Sequence, residues 1–275
     1  MFPCHGYADD SIVASVPRLE QSFPRDVSPP LSFAQLRGAG VQMRIVIAGL
    51  GLWLSIQASV VLAQTPSLPP DTMAARVEAC TPCHGNQGEG TSDVYFPRLA
   101  GKPAGYLYNQ LVAFKNGRRK YPPMNYLLEY LGDPYLQEMA DYFAEQRPPL
   151  PPAAASDASA QVMQQGQALV TRGDPARQIP ACGSCHGPGL TGLEPGIPGL
   201  LGLRPNYISA QLGAWRYGTR TAKGPDCMQL VAARLTEADV TAVASYLASR
   251  SAPINVAPAP KGAYVLPFAC GSQPD

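Results

Sequence analysis

Cys80-Thr81-Pro82-Cys83-His84 and Cys182-Gly183-Ser184-Cys185-His186 are the two stretches from which the rest of this 275-residue chain can be read. The segments downstream of these two strings match as well. Pro97-Arg98-Leu99-Ala100-Gly101 answers Pro198-Gly199-Leu200-Leu201-Gly202. Tyr106, Gln110, Leu111, Phe114 and Gly117 answer Tyr207, Gln211, Leu212, Trp215 and Gly218 at a constant offset of 101. Further on, at an offset of 104, Met124 answers Met228, and Leu131, Leu136 and Tyr142 answer Leu235, Val240 and Tyr246. A fixed period with a small drift marks a duplicated unit with short loop insertions. Residues 71–148 and 159–250 are therefore expected to be two copies of one domain, joined by a Pro/Ala-rich linker at 149–158 and trailed by a tail at 251–275.

Each copy has helical periodicity. Leu107, Leu111 and Phe114 fall at i, i+4 and i+7, as do Ile208, Leu212 and Trp215. Leu136, Met139, Ala140 and Phe143 form a second stripe, repeated by Val240, Val243, Ala244 and Leu247. Asp133-Pro134 places a capping residue before a helix-compatible proline, and Thr236…Asp239 resembles a capping box. No stretch alternates convincingly with period two. The expected fold class is all-α, with three or more short helices per domain.

A formal net charge of +1 argues against a nucleic-acid binder, which must neutralise many phosphates. The rare residues say more: there are seven Cys and three His, namely His5, His84 and His186. Arg44 and the apolar run Ile45–Leu54, continued to the small-residue end at Ala63, describe a secretory signal peptide over 43–63. A retained membrane anchor is the alternative. The Pro-rich segment 1–42 lacks periodicity and is read as a non-native extension upstream of a true start at Met43. Export to the periplasm is the expectation.

Cys-x-x-Cys-His is the attachment signature of c-type haem. Two thiols at this spacing form thioethers to one porphyrin, and the adjacent His meets the iron from one side. Zinc would need further Cys or His partners, and a thioredoxin-like redox pair would need a βαβ context. Cys80, Cys83, Cys182 and Cys185 are thus the expected attachment residues of two covalently bound haems, with His84 and His186 as proximal iron ligands. No His then remains after residue 63, so the sixth ligand is sought among Met73, Met124, Met139, Met163 and Met228. Met139 lies on an apolar stripe and reads as core, while Met73 and Met163 have no counterpart in the other copy. Met124 and Met228 occupy equivalent places, in Tyr121-Pro122-Pro123-Met124 and Gly224-Pro225-Asp226-Cys227-Met228, and are assigned as axial ligands carried on loops.

With both motifs, both Met segments and the entries to the helices at Tyr106 and Tyr207 in hand, residues 72–250 resemble the di-haem class I cytochromes c of the c4 type. The resemblance implies two tandem class I cytochrome c domains, each a short-helix bundle around one covalently attached haem, with the haems near the domain interface. It also implies electron exchange with redox partners: a quinol-oxidising complex, a terminal oxidase or reductase, or a dehydrogenase of which this chain is the cytochrome subunit. A haem ligated on both faces favours outer-sphere electron transfer over catalysis, a haem enzyme with one displaceable axial Met being the lesser alternative, and no His is free for acid–base work. Loose membrane association is compatible with this reading, and nucleic acid is not expected. Cys227 departs from the pattern, since Met124 has no such neighbour. With four Cys committed to haem, Cys227 and Cys270 remain, and in an exported protein they are expected to form a disulfide, two free thiols being the alternative. Lys115, Arg118, Arg119 and Lys120, echoed by Arg216, Arg220 and Lys223, are read as a solvated helix end rather than a steering patch. Tyr106 and Tyr207 are either haem-pocket residues or ordinary helix-face aromatics.

Overall fold

The computed structural model describes residues 71–92 and 95–273, so the extension at 1–42 and the signal at 43–63 lie outside the described residues. The first half contains α1 (Met73–Arg76), a 3-10 turn at Glu78–Cys80, α2 (Thr81–His84), α3 (Ala104–Lys115), α4 (Pro122–Leu128) and α5 (Asp133–Glu145). The second half contains α6 (Ala160–Thr171), a 3-10 turn at Pro175–Arg177, α7 (Cys182–His186), α8 (Pro205–Arg216), α9 (Cys227–Ala232) and α10 (Glu237–Ala248). Between α7 and α8 a small antiparallel hairpin pairs β1 (Gly192–Leu193) with β2 (Ile197–Pro198), a departure too short to leave a period-two trace in the sequence. Among the described residues no helix is long and apolar enough to cross a membrane.

The apolar stripes do what their spacing predicts. In the first half α3 packs on α5 and α4, and Leu107, Phe114, Leu136, Met139, Ala140 and Phe143 join Val77 and Leu128 in one buried cluster. In the second half α10 packs on α6 and α8, with Ile208, Leu212, Val240, Val243, Ala244 and Leu247 in the matching cluster. Burying side chains of this kind stabilises by roughly 1.5–3 kcal/mol each, so the repeated stripes are what hold each half together. The crossing of α6 and α10 is close because residue 166 is Gly: a Cβ there would come within 2.1 Å of the Ala242 carbonyl oxygen.

Helix starts differ between the halves. Thr236 and Asp239 form the expected capping box at α10, where each side chain accepts from the other residue's backbone N–H. Asp239 is also buried, and it accepts from Gln165 at 2.8 Å and from Arg177 at 2.6 Å, tying α6 and the 3-10 turn to α10. Burial alone would raise its carboxyl, but the hydrogen bonds from Arg177, Thr236 and Gln165 outweigh this and hold it well below the usual range. At α5 the capping residue is Gly132, and Asp133 sits inside the first turn. Its carboxylate instead meets Lys115 Nζ of α3 at 3.2 Å, so a long-range partner displaces the local cap.

Candidate functional site

The Cys-x-x-Cys-His motifs fold into the short helices that their sequence spacing requires. The 3-10 turn and α2 carry Cys80, Cys83 and His84, and α7 carries Cys182, Cys185 and His186. Each helix ends at a glycine with positive φ, Gly85 at +82° and Gly187 at +80°, a conformation that only glycine adopts without strain. The chain then returns to place a proline carbonyl beside each imidazole. His84 Nδ1 lies 3.0 Å from the Pro97 oxygen, and His186 Nδ1 lies 2.7 Å from the Pro198 oxygen. A carbonyl only accepts, so each Nδ1 must carry the proton, and the lone pair is left on Nε2. Burial pushes the His186 imidazole down to about 4, with Lys102 adding to the effect against the hydrogen bond to Pro198. His84 is shifted the same way, by burial first and by Arg119 as well. Both rings are therefore neutral, which is the form that binds iron.

The four motif cysteines are not paired with one another, and burial pushes the Cys80, Cys182 and Cys185 thiols up. Those three are not the activated thiolates of a redox pair. Among the described residues no group of three or more His, Cys, Asp or Glu is placed to hold a metal ion. In the second half Cys182, Cys185, His186 and Met228 line one cavity, together with Trp215 and Tyr207. In the first half Cys80 and Met124 pack against the same apolar cluster, while His84 is buried with Phe96 edge-on 6.4 Å away. Met124 and Met228 do not sit on loops. They lie in the first turns of α4 and α9, because Pro122 and Pro123 suit a helix start and Asp226 caps α9 by accepting from Gln229 N–H. Met139 is core, as its stripe predicts.

Cys227 and Cys270 form a disulfide across 43 residues of sequence. It fastens the tail to the start of α9, one residue before Met228. The strap continues through Ala259, which exchanges backbone hydrogen bonds with Gly192 and Glu194, and through Gln273, whose side chain bonds Gly196 N and the Glu194 oxygen. Leu266 and Phe268 of the tail line the same cavity as Met228.

The basic cluster departs most from its sequence reading. Arg119 and Arg220 are buried rather than solvated, and they occupy equivalent positions in the repeat. Arg119 donates to Gln110 Oε1 (3.2 Å), Gln211 Oε1 (3.0 Å) and the Tyr207 hydroxyl (2.7 Å). Arg220 donates to Gln211 Oε1 (2.7 Å) and Gln110 Oε1 (2.6 Å), with Tyr106 as a further partner. Each guanidinium also covers the aromatic ring at the equivalent place in its own half, Arg119 over Phe114 at 4.5 Å and Arg220 over Trp215 at 3.7 Å. The two halves therefore meet through a reciprocal lattice of repeated residues, closed by the Thr221 N–H to Arg118 carbonyl bond at 2.8 Å. A sequence signal for it exists: Gln110/Gln211 and Arg119/Arg220 share the offset of Tyr106/Tyr207. Only Lys120 and Lys223 of the cluster are exposed.

This lattice also tests the fit of a haem. Among the described residues neither Arg119 nor Arg220 has a carboxylate partner, and burial pulls Arg220 down to about 10. Arg118 Nε and Trp215 Nε1 are buried donors without an acceptor, and both residues line the cavity beside His186. Uncompensated buried cations and unused donors call for an anionic group. Neutral imidazoles, unpaired thiols, apolar walls and this cationic rim suit an iron porphyrin with propionate arms.

No protein-family model matches the chain. A thiosulfate dehydrogenase electron acceptor from Thiomonas intermedia is 38% identical over 184 residues, spanning 66% of this chain and 84% of that protein. Cytochrome c4 from Pseudomonas aeruginosa is 37% identical over 175 residues, spanning 63% of this chain and 84% of its own length. The crystal structure of reduced cytochrome c4 from Pseudomonas stutzeri superposes with a TM-score of 0.57 at 32% identity, covering 64% of this chain and 96% of that one. These likenesses agree with the duplicated haem motif and the helical halves, and the chain belongs to the cytochrome c4 family: an all-α, electron-carrying cytochrome of two tandem class I domains with two covalently bound haems c.

Proposed function

We propose that this cytochrome works in the periplasm, taking electrons from a sulfur-compound dehydrogenase of the thiosulfate-oxidising kind and passing them to respiratory-chain partners. In this reading Cys80 and Cys83 hold the first haem and Cys182 and Cys185 the second. His84 and Met124, and His186 and Met228, complete the two iron coordinations. Residues 71–148 and 159–250 are the two domains, with 149–158 as linker. Bound haem supplies a one-electron couple. The protein's own groups keep each His neutral by burial, fix its tautomer through Pro97 and Pro198, shut water out with apolar side chains, and balance the propionates with Arg119 and Arg220.

The observation that carries this reading is the repeated arrangement of a buried His, oriented by a proline carbonyl, on a Cys-x-x-Cys-His helix with a Met-bearing helix against the same core. The choice of electron donor is supported by the names of two relatives, both thiosulfate dehydrogenase electron acceptors, at 38% identity. Two experiments test it. Met124→Ala and Met228→Ala should each turn one haem high-spin and open it to carbon monoxide, while leaving the other haem unchanged. An unaltered spectrum in either variant rejects that ligand. Stopped-flow mixing with a thiosulfate dehydrogenase and thiosulfate should then reduce both haems within seconds. Reduction no faster than with thiosulfate alone rejects the partner and leaves the ligation standing.

A further inference from the structure

Lys102 belongs to the first half of the chain, but its ammonium lies in the second. The side chain is buried, and Nζ donates to the Gly199 carbonyl oxygen at 2.9 Å. Gly199 comes directly after Pro198, whose own carbonyl orients the His186 imidazole, so the cation sits one peptide away from that hydrogen bond. Lys102 and His186 line the same cavity. No carboxylate pairs with Lys102 among the described residues. Burial pulls the ammonium down to about 8, which still leaves it charged at neutral pH.

Among the described residues the first half's proximal loop is served by cations of that half itself. At the offset of 101 the counterpart of Lys102 is Leu203, so no cation crosses back toward the Pro97 loop. Arg98 stands where the second half has Gly199, but its three guanidinium nitrogens are committed to the carbonyls of Ala100, Pro148 and Pro149, and Glu89 opposes its charge. The cation that bears on His84 is Arg119 of its own half, whereas the one that bears on His186, Lys102, arrives from the other half.

A fixed cation disfavours the additional positive charge that iron carries when oxidised, and the effect is strongest where water is excluded. We propose that Lys102 is a positioning residue that reaches across the interface to the proximal loop of the second haem and raises that haem's reduction potential. The proposal rests on His186 being an iron ligand there.

Optical redox titration of the holoprotein tests it. The two waves are assigned with Met124→His and Met228→His, each of which displaces its own wave. In Lys102→Gln and Lys102→Leu the second haem's reduced-to-oxidised ratio at a fixed potential should fall about tenfold, or about 59 mV for a one-electron couple. The first wave should stay in place, and Lys102→Arg should restore the second. Three results would overturn the proposal: a second wave that does not move, two waves that fall together, or an Arg variant that behaves like the Gln variant. Should Met228→His leave both waves in place, the ligand assignment itself fails, and that result is separable because it precedes any Lys102 substitution.

Discussion

The two halves share a plan, yet they close differently. In the first, the chain enters through a four-residue α1, and the Met124 helix leaves Tyr126 at 76%, Leu127 at 52% and the nearby Tyr130 at 86% exposure. In the second, a 12-residue α6 packs on α10, Asp239 is locked between three partners, and a disulfide straps the tail beside Met228. The Cys-x-x-Cys-His motifs, and the Gln, Arg and Tyr of the lattice between the halves, are repeated. The devices that stabilise the outer surface are not. Duplication thus preserved the redox core and left one half to be stapled by its own tail, while the other kept an open face beside its Met helix.

Removing the staple should break this contrast most. Cys270→Ser frees a loop closed over 43 residues of sequence. Cross-links of that span are worth roughly 2–4 kcal/mol, so amide exchange in α9 and α10 should accelerate by about one and a half to three powers of ten while α3 and α5 keep their rates. Equal acceleration in both halves would mean that they unfold as one unit.

Next in size is Asp239→Ala, which leaves Gln165 without its acceptor and Arg177 with Asp174 alone. Breaking a fully buried ion pair costs about 3–5 kcal/mol, but Arg177 is about a third exposed, at 38%, so a loss of about 2 kcal/mol is expected in denaturant melts. The same group sets an acid limit. Because its folded carboxyl is depressed, its stabilisation is complete above the ordinary value of 3.8 and is lost as pH falls through the lower folded value. The second half should therefore weaken below about pH 4, and Asp239→Ala should flatten that part of its pH profile.

Gly166→Ala probes the close crossing of α6 and α10. Overpacking of this kind costs about 1–3 kcal/mol, read as a lower melting temperature with an unchanged haem spectrum. The smallest effect belongs to the open face. Tyr130→Ser should change stability by no more than about 0.5 kcal/mol, since an exposed side chain away from special features contributes little. A larger loss would show that the face is less open than its exposure implies.

Much of this is legible in the sequence, and the departures have a pattern. The stripes at Leu107–Phe114 and Val240–Leu247 become helices because apolar spacing acts within a single helix. The capping box at Thr236 is equally local. Asp133 reads as a cap in sequence but is drawn to Lys115 of another helix. Pro122-Pro123 reads as a loop, although proline is at home in a helix's first turn. Arg119 and Arg220 read as solvated, because a charged residue beyond a helix end has the same sequence appearance whether it meets water or a partner domain. Lys102 carries no signal of its own, and only its mismatch with Leu203 in the repeat marks it.

Covalent attachment is determined by the sequence itself, since two thiols and an imidazole for one haem need only five consecutive residues on one turn of chain. The duplication, the helical class and the arithmetic that leaves Cys227 and Cys270 for each other are determined in the same way. Tertiary structure alone decides which charges surround each site. Arg119 meets Gln211 and Tyr207, and Lys102 meets Gly199, across separations of 88 to 97 residues. Electrostatic influence depends on distance in space and on exclusion of water, and neither of these can be read along the chain.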